Sequence, residues 1–161
     1  MNQIELIVGL KIPDTTAITT FHTLEKLNFR ELKKLKREIY YKFTTDEQLD
    51  KFSEKIGKVD ILVNANKNKY ITKKPEEDFD EPISNSIPIK ILVKDLEPNE
   101  SLLETLQNRL GLKQIKKLEN GILWTLYIEK DNIQEATKFA DIITKKLLYN
   151  EHYQEFKILS H

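Results

Sequence analysis

The sequence predicts an α+β fold in which one β-α-β-β-α-β unit is written twice. Three observations carry that expectation. First, residues 31–43 line up with residues 114–126 in a shared frame: Leu32-Lys-Lys-Leu35 against Ile115-Lys-Lys-Leu118, three further residues, then Ile39-x-Tyr41-x-Phe43 against Ile122-x-Trp124-x-Leu126. Second, the match extends both ways, pairing Leu6 and Val8 with Ile91 and Val93, Leu62-Val-Asn64 with Leu148-Tyr-Asn150, and Tyr70 with Phe156. Third, the stretch Lys73–Ser86 carries two prolines, five carboxylates and little apolar content, as a linker does. The repeat spacing of about 85 residues is longer than the period of stacked solenoids, so each copy reads as a small domain. The expected organisation is repeat 1 over residues 1–72, an acidic linker over 73–86, extended or mobile, and repeat 2 over 87–161.

The elements follow in the same order in both copies. Ile4, Leu6, Val8 and Leu10 alternate, as do Ile87, Ile89, Ile91 and Val93, and a period of two suits a strand on a sheet with one buried side. Pro13 and Pro98 stop these strands ahead of a helix. Ala17, Phe21 and Leu24 then fall at helical spacing, as do Leu102 or Leu103, Leu106 and Leu110. A hairpin of two short strands is expected next, turning at Arg37-Glu38 and at Asn120-Gly121, the second being a strong turn dipeptide. Thr44-Thr-Asp-Glu47 and Asp131-Asn-Ile-Gln134 have the spacing of capping boxes and open a second helix. In copy two that helix carries Ile133, Ala136, Ala140, Ile143 and Leu147 as one stripe. Short strands near residues 69–71 and 155–159 close each unit. This order gives two ferredoxin-like two-layer sandwiches, expected to be related as a pseudo-two-fold internal dimer.

Composition narrows the chemistry. Lys and Arg number 26 against 26 Asp and Glu, so the basic excess of a nucleic-acid binder is missing. Without cysteine there is no disulfide, thiolate nucleophile or cysteine-ligated zinc. The sequence shows no basic segment with a long apolar core at its start and no stretch of about 18 apolar residues, which points to a cytoplasmic chain without a membrane partner. His22, His152 and His161 have no second ligand at metal spacing. No nucleophile elbow, Walker pattern or Gly-x-Gly-x-x-Gly exists among four glycines, so no catalytic residue, metal ligand or cofactor-binding residue is assigned. Lys33-Lys34 and Lys116-Lys117 flank the strands of Tyr41 and Trp124, an arrangement found on RNA-binding sheets. Those aromatics alternate with residues that need burial, which favours packing over base stacking.

The second copy resembles a known family. Lys145-Lys-Leu-Leu-Tyr-Asn150 with Phe156 is similar to the "lysine, two leucines, small residue, asparagine, four variable, aromatic" signature of PurS. PurS is the small subunit of phosphoribosylformylglycinamidine synthase. Leu110-Gly-Leu112 through Gly121-Ile122 resembles that family's stretch ending in an arginine-x-glycine-lysine turn, and copy one keeps the frame in Leu27-Asn-Phe29 and Leu62-Val-Asn64. The turn itself departs, reading Lys36-Arg37-Glu38 and Glu119-Asn120-Gly121, and the Asp-Pro-x-Gly stretch is reduced to Ile12-Pro13-Asp14 and Glu97-Pro98-Asn99. The resemblance implies a non-catalytic scaffold in de novo purine biosynthesis, a fused dimer bridging a PurL-type synthetase and a PurQ-type glutaminase. ATP, Mg and glutamine would be used by those partners and no cofactor bound by this chain. Self-association is also among the expected interactions. The residues expected to meet partners are Arg37, Lys36, Asn120, Gly121, Asp14 and Asn99.

A tandem regulatory domain binding a small molecule between its repeats is the rival reading. Such modules commonly place a glycine-containing loop after the first strand, and neither Lys11–Thr15 nor Asp95–Asn99 contains glycine.

Overall fold

Strand β1 (Asn2–Leu10) pairs antiparallel with the long strand β2 (Leu32–Thr45) and with β3 (Asn68–Lys73). The computed structural model describes residues 1–75, 77 and 85–159. Strand β4 (Ile87–Asp95) stands between β5 (Ile115–Ile128) and β6 (Gln154–Leu159) in the same way. Four α-helices complete the α+β fold among the described residues: α1 (Thr15–Lys26), α2 (Leu49–Ile56), α3 (Glu100–Glu104) and α4 (Ile133–Ile143). The strand order is β3-β1-β2-β5-β4-β6.

Strand lengths of nine, 14 and six residues recur in the same sequence, from β1 to β3 and from β4 to β6. Pairing registers correspond as well. Asn2 opposite Thr45 has its counterpart in Ile87 opposite Ile128, and Glu5 opposite Lys73 in Lys90 opposite Leu159.

The fold groups into two compact units. One takes in Met1–Ile12, Ile39–Asp78 and Glu97–Gly121; the other takes in Pro13–Glu38, Phe79–Leu96 and Ile122–His161. These units and the segments 1–72 and 87–161 are different divisions of the chain. In unit 1, Ile4, Leu6 and Val8 of β1 pack with Tyr41, Phe43, Phe52 and Ile56, and also with Leu106 and Ile115 from the later half of the sequence. In unit 2, Ile89, Ile91, Trp124, Ala136 and Ala140 pack with Ala17 and Leu24 of α1 and with Leu32 and Leu35 of β2. Each unit therefore draws on a helical segment from the other half of the sequence.

The expected hairpins are not formed. Residues 36–38 and 119–121 lie inside continuous strands, and the fold reads β-α-β-α-β twice. A two-residue turn of the favoured type needs positive φ at both central residues. Among the described residues only Asn28, Asn85 and Gly111 have positive φ, so Asn120 and Gly121 are extended. Residues 39–45 take β1 as partner and residues 122–128 take β4, so long-range pairing supersedes the local turn signal.

The expectation of one buried sheet face is also corrected. Glu5 and Ile7 of β1, on the face opposite Leu6, are buried, as are Tyr40 of β2, Leu92 of β4 and Leu123 and Tyr127 of β5. The near-unbroken apolar run from Ile122 to Ile128 is the sequence signal for burial on both faces.

Helix ends differ in detail. Asp14 caps α1 by accepting from the Thr16 and Ala17 amides. Asn132, one residue beyond the expected Asp131, caps α4, while α2 starts at Leu49 with no side-chain cap because Thr44 and Thr45 complete β2. Both α3 and α4 run on into a π-helical turn, over Thr105–Arg109 and Thr144–Leu148. The extra residue per turn rotates the apolar stripe, so Leu148 is buried where Leu147 was expected, and Leu110 is exposed. The part of the 73–86 linker over 76 and 78–84 lies outside the described residues.

This mixed membership gives a first expected outcome. Leu24→Ala removes a fully buried side chain, which costs about 2–5 kcal/mol. Amide chemical-shift changes should concentrate around Ala136, Ala140 and Trp124, its companions in the unit 2 core, rather than on β1. Leu106→Ala should perturb Phe52 and Ile115 instead.

Candidate functional site

Asn64 and Asn150, the asparagines of the signature, sit in turns built alike. The Asn64 Oδ1 accepts from the Asn66 amide at 3.0 Å, and Asn150 Oδ1 accepts from the His152 amide at 3.0 Å. The Asn64 carbonyl accepts from the Lys67 and Asn68 amides at 3.0 and 2.7 Å; the Asn150 carbonyl accepts from Tyr153 and Gln154 at 3.1 and 2.8 Å. Asn68 Oδ1 and Gln154 Oε1 in turn accept from the Asn64 and Asn150 amides, at 2.8 and 3.0 Å. Asparagine suits this position because its short amide mimics a backbone carbonyl two residues on. The turns aim β3 and β6 onto their partner strands, where Lys11 N donates to the Lys67 carbonyl and Leu96 N to that of Tyr153.

Three of the expected partner-contacting residues fall in unit 2 and three in unit 1. In unit 2, Arg37 Nη1 lies 3.4 Å from Asp14 Oδ2, the same carboxylate whose other oxygen caps α1. The Arg37 guanidinium also stands 6.0 Å from the centroid of the Trp124 ring, within the range of a cation–π contact. Lys36, the next residue on the opposite face of β2, pairs with Glu38 at 3.4 Å. In unit 1, Asn99 caps α3 by accepting from the Leu102 amide, while Asn120 and Gly121 are half-buried in mid-strand. The structure thus joins Asp14 to Arg37 and leaves Lys36 with a different partner. Loop tips were expected at 36–38 and 119–121, and strand interiors are found.

Three of the four lysines in the two pairs are engaged. Lys33 reaches Glu129 at 3.6 Å, Lys34 lies over the Tyr127 ring, and Lys116 reaches Asp46 at 3.4 Å. Tyr41 and Trp124 are buried in their cores, where no base can stack on them. Among the described residues no three His, Asp or Glu side chains gather as a metal site. No helix among them is long and apolar enough to cross a membrane.

The most concentrated polar site is one that pattern reading passed over. Glu5 is 4% exposed and Lys73 9% exposed, directly opposite each other on β1 and β3. Lys73 Nζ donates to Glu5 Oε1 at 2.6 Å and to the Glu77 carbonyl at 2.7 Å. The other carboxylate oxygen of Glu5 accepts from the buried Tyr40 hydroxyl. The sequence signal was a single glutamate inside Ile4-Glu-Leu-Ile-Val8. At the corresponding register positions of β4, β5 and β6 stand Lys90, Leu123 and Leu159, so the same trio of side chains does not recur there.

Burial, followed by the hydrogen bond to Glu5 and the charges of Glu5 and Glu119, pushes the Tyr40 phenol far above its ordinary range. Above about pH 10 the unfolded chain releases a phenolic proton that the folded chain keeps. Stability contributed by Tyr40 is therefore present below that pH and is lost as pH rises, at up to about 1.4 kcal/mol per pH unit. Urea denaturation between about pH 9 and pH 11 should show a shallower alkaline loss for Tyr40→Phe than for the parent chain. Equal slopes would contradict the placement of the phenol.

Models of known protein families and curated proteins were both compared with this chain, and neither comparison gives a match.

Proposed function

We propose that this chain is a non-catalytic scaffold subunit of a phosphoribosylformylglycinamidine synthase, holding a PurL-type synthetase and a PurQ-type glutaminase together for ammonia transfer. The observation that supports this reading best is the turn at Asn64 and Asn150. The signature on which the resemblance to PurS rests has a defined structural task, and it is performed with the same hydrogen bonds in both copies. The mixed membership of the two cores adds to it. A chain whose two cores each draw on both halves of the sequence is what fusion of an intertwined dimer would produce, and fusion keeps the halves at an effective concentration of about millimolar.

On this reading the partners supply the chemistry, with ATP, Mg and glutamine handled by them. Asp14 and Asn99 lie at helix starts, and Arg37, Lys36, Asn120 and Gly121 along β2 and β5. These positions are proposed contacts. The test is co-purification: the tagged chain should retain a PurL-type synthetase and a PurQ-type glutaminase together. Retention of neither enzyme would count against the scaffold.

A further inference from the structure

The outer edge of β6 is self-complementary in charge. Among the described residues β6 ends the strand order and pairs with β4 alone, so its other side presents backbone groups without a strand partner among them. Phe156 and Ile158 turn toward the unit 2 core, while Glu155 and Lys157 are exposed on the opposite face. In an antiparallel pairing of two β6 strands centred on Phe156, each Glu155 faces the Lys157 of the other copy. Both charge pairs are then made at once by a two-fold axis. Lys94 lies across from Glu155 on the β4 side, so in such a pairing the glutamate has a lysine on each flank.

The other edge, β3, lacks this property. Centring a β3 pair on Ile71 sets Lys69 against Lys73, and centring it on Tyr70 sets Lys69 against Ile71. Pairing β6 with the β3 edge of another copy would be heterologous, giving a ring or an open chain rather than a closed two-fold dimer.

We propose that two copies of this chain associate in solution through an antiparallel β6–β6 edge, fixed in register by reciprocal Glu155–Lys157 pairs. Directly opposed unlike charges on neighbouring strands attract and like charges repel. A six-residue ribbon is small beside the roughly 1,600 Å² of a standard interface, so the dimer is weak and concentration-dependent.

Sedimentation velocity of the full chain over a wide concentration series tests this, with two charge reversals. Glu155→Lys sets like charges opposite each other, and so does Lys157→Glu. Each alone should weaken self-association about tenfold or more. An equimolar mixture of the two variants should regain the dimer, because every reversed charge then faces an opposite one. A parent chain that stays monomeric throughout would overturn the proposal. A dimer indifferent to both reversals would do so too, as would a mixture no better than the separate variants. Circular dichroism of each variant shows whether the fold is kept; a variant that unfolds is replaced by Glu155→Gln or Lys157→Gln, with a smaller loss expected.

Discussion

Residues 1–72 expressed alone are expected not to reach the native fold as a monomer. The segment keeps β1, β2, α2 and nearly all of β3, yet the unit 1 core also needs Leu106 and Ile115, both fully buried, with Leu102, Leu103 and Leu112 packed against it. Burying one such aliphatic side chain stabilises by about 1.5–3 kcal/mol. Losing several removes most of the roughly 5–15 kcal/mol that a domain has in hand. Helix α1 would meanwhile lose Ile89, Ile91, Trp124, Ala136 and Ala140, against which Ala17 and Leu24 pack. Dispersed amide spectra should be absent from the isolated segment and return when residues 87–161 are co-expressed with it. A cooperatively folded monomer of 1–72 would contradict the mixed membership of the cores.

Glu5→Gln and Lys73→Met should each be as damaging as truncating a large core side chain on the sheet. Each leaves the other member of a buried pair without its counter-charge, and breaking a buried pair costs about 3–5 kcal/mol. The triple change Glu5→Leu, Tyr40→Leu, Lys73→Leu should cost far less than either single one. It deletes both charges and the hydroxyl together, and unit 2 already holds Leu123 and Leu159 at two of the equivalent positions. Urea denaturation of the three variants makes the comparison. A triple variant less stable than both singles would show that packing at this site outweighs the charge pair.

Much of this fold was legible residue by residue. The alternation of Ile4, Leu6 and Val8 gave β1 its core face, the short closing strands expected near 69–71 and 155–159 are β3 and β6, and the aligned Ile39 and Ile122 occupy matching places in β2 and β5. The strand through Asn120-Gly121 was not legible, because turn propensity is local and the pairing that overrides it lies far away in sequence. The mixed membership of the two cores was hidden for a different reason. A helix with an apolar stripe can cover the sheet of its own half of the sequence or of the other half, and the pattern is the same either way. Of the candidate site, Asp14 with Arg37 was brought together as two expected residues, whereas Lys36 was not joined to them. Glu5, Tyr40 and Lys73 were missed because they lie 68 residues apart at the extremes and each looks ordinary alone.

The scaffold proposal is tested most directly by reconstitution. A PurL-type synthetase and a PurQ-type glutaminase, mixed without this chain, should form the amidine product from ammonia but poorly from glutamine. Adding the chain should raise the glutamine-dependent rate severalfold at a saturable ratio and leave the ammonia-dependent rate unchanged. A glutamine-dependent rate that does not respond to the chain at any ratio would contradict the proposed function.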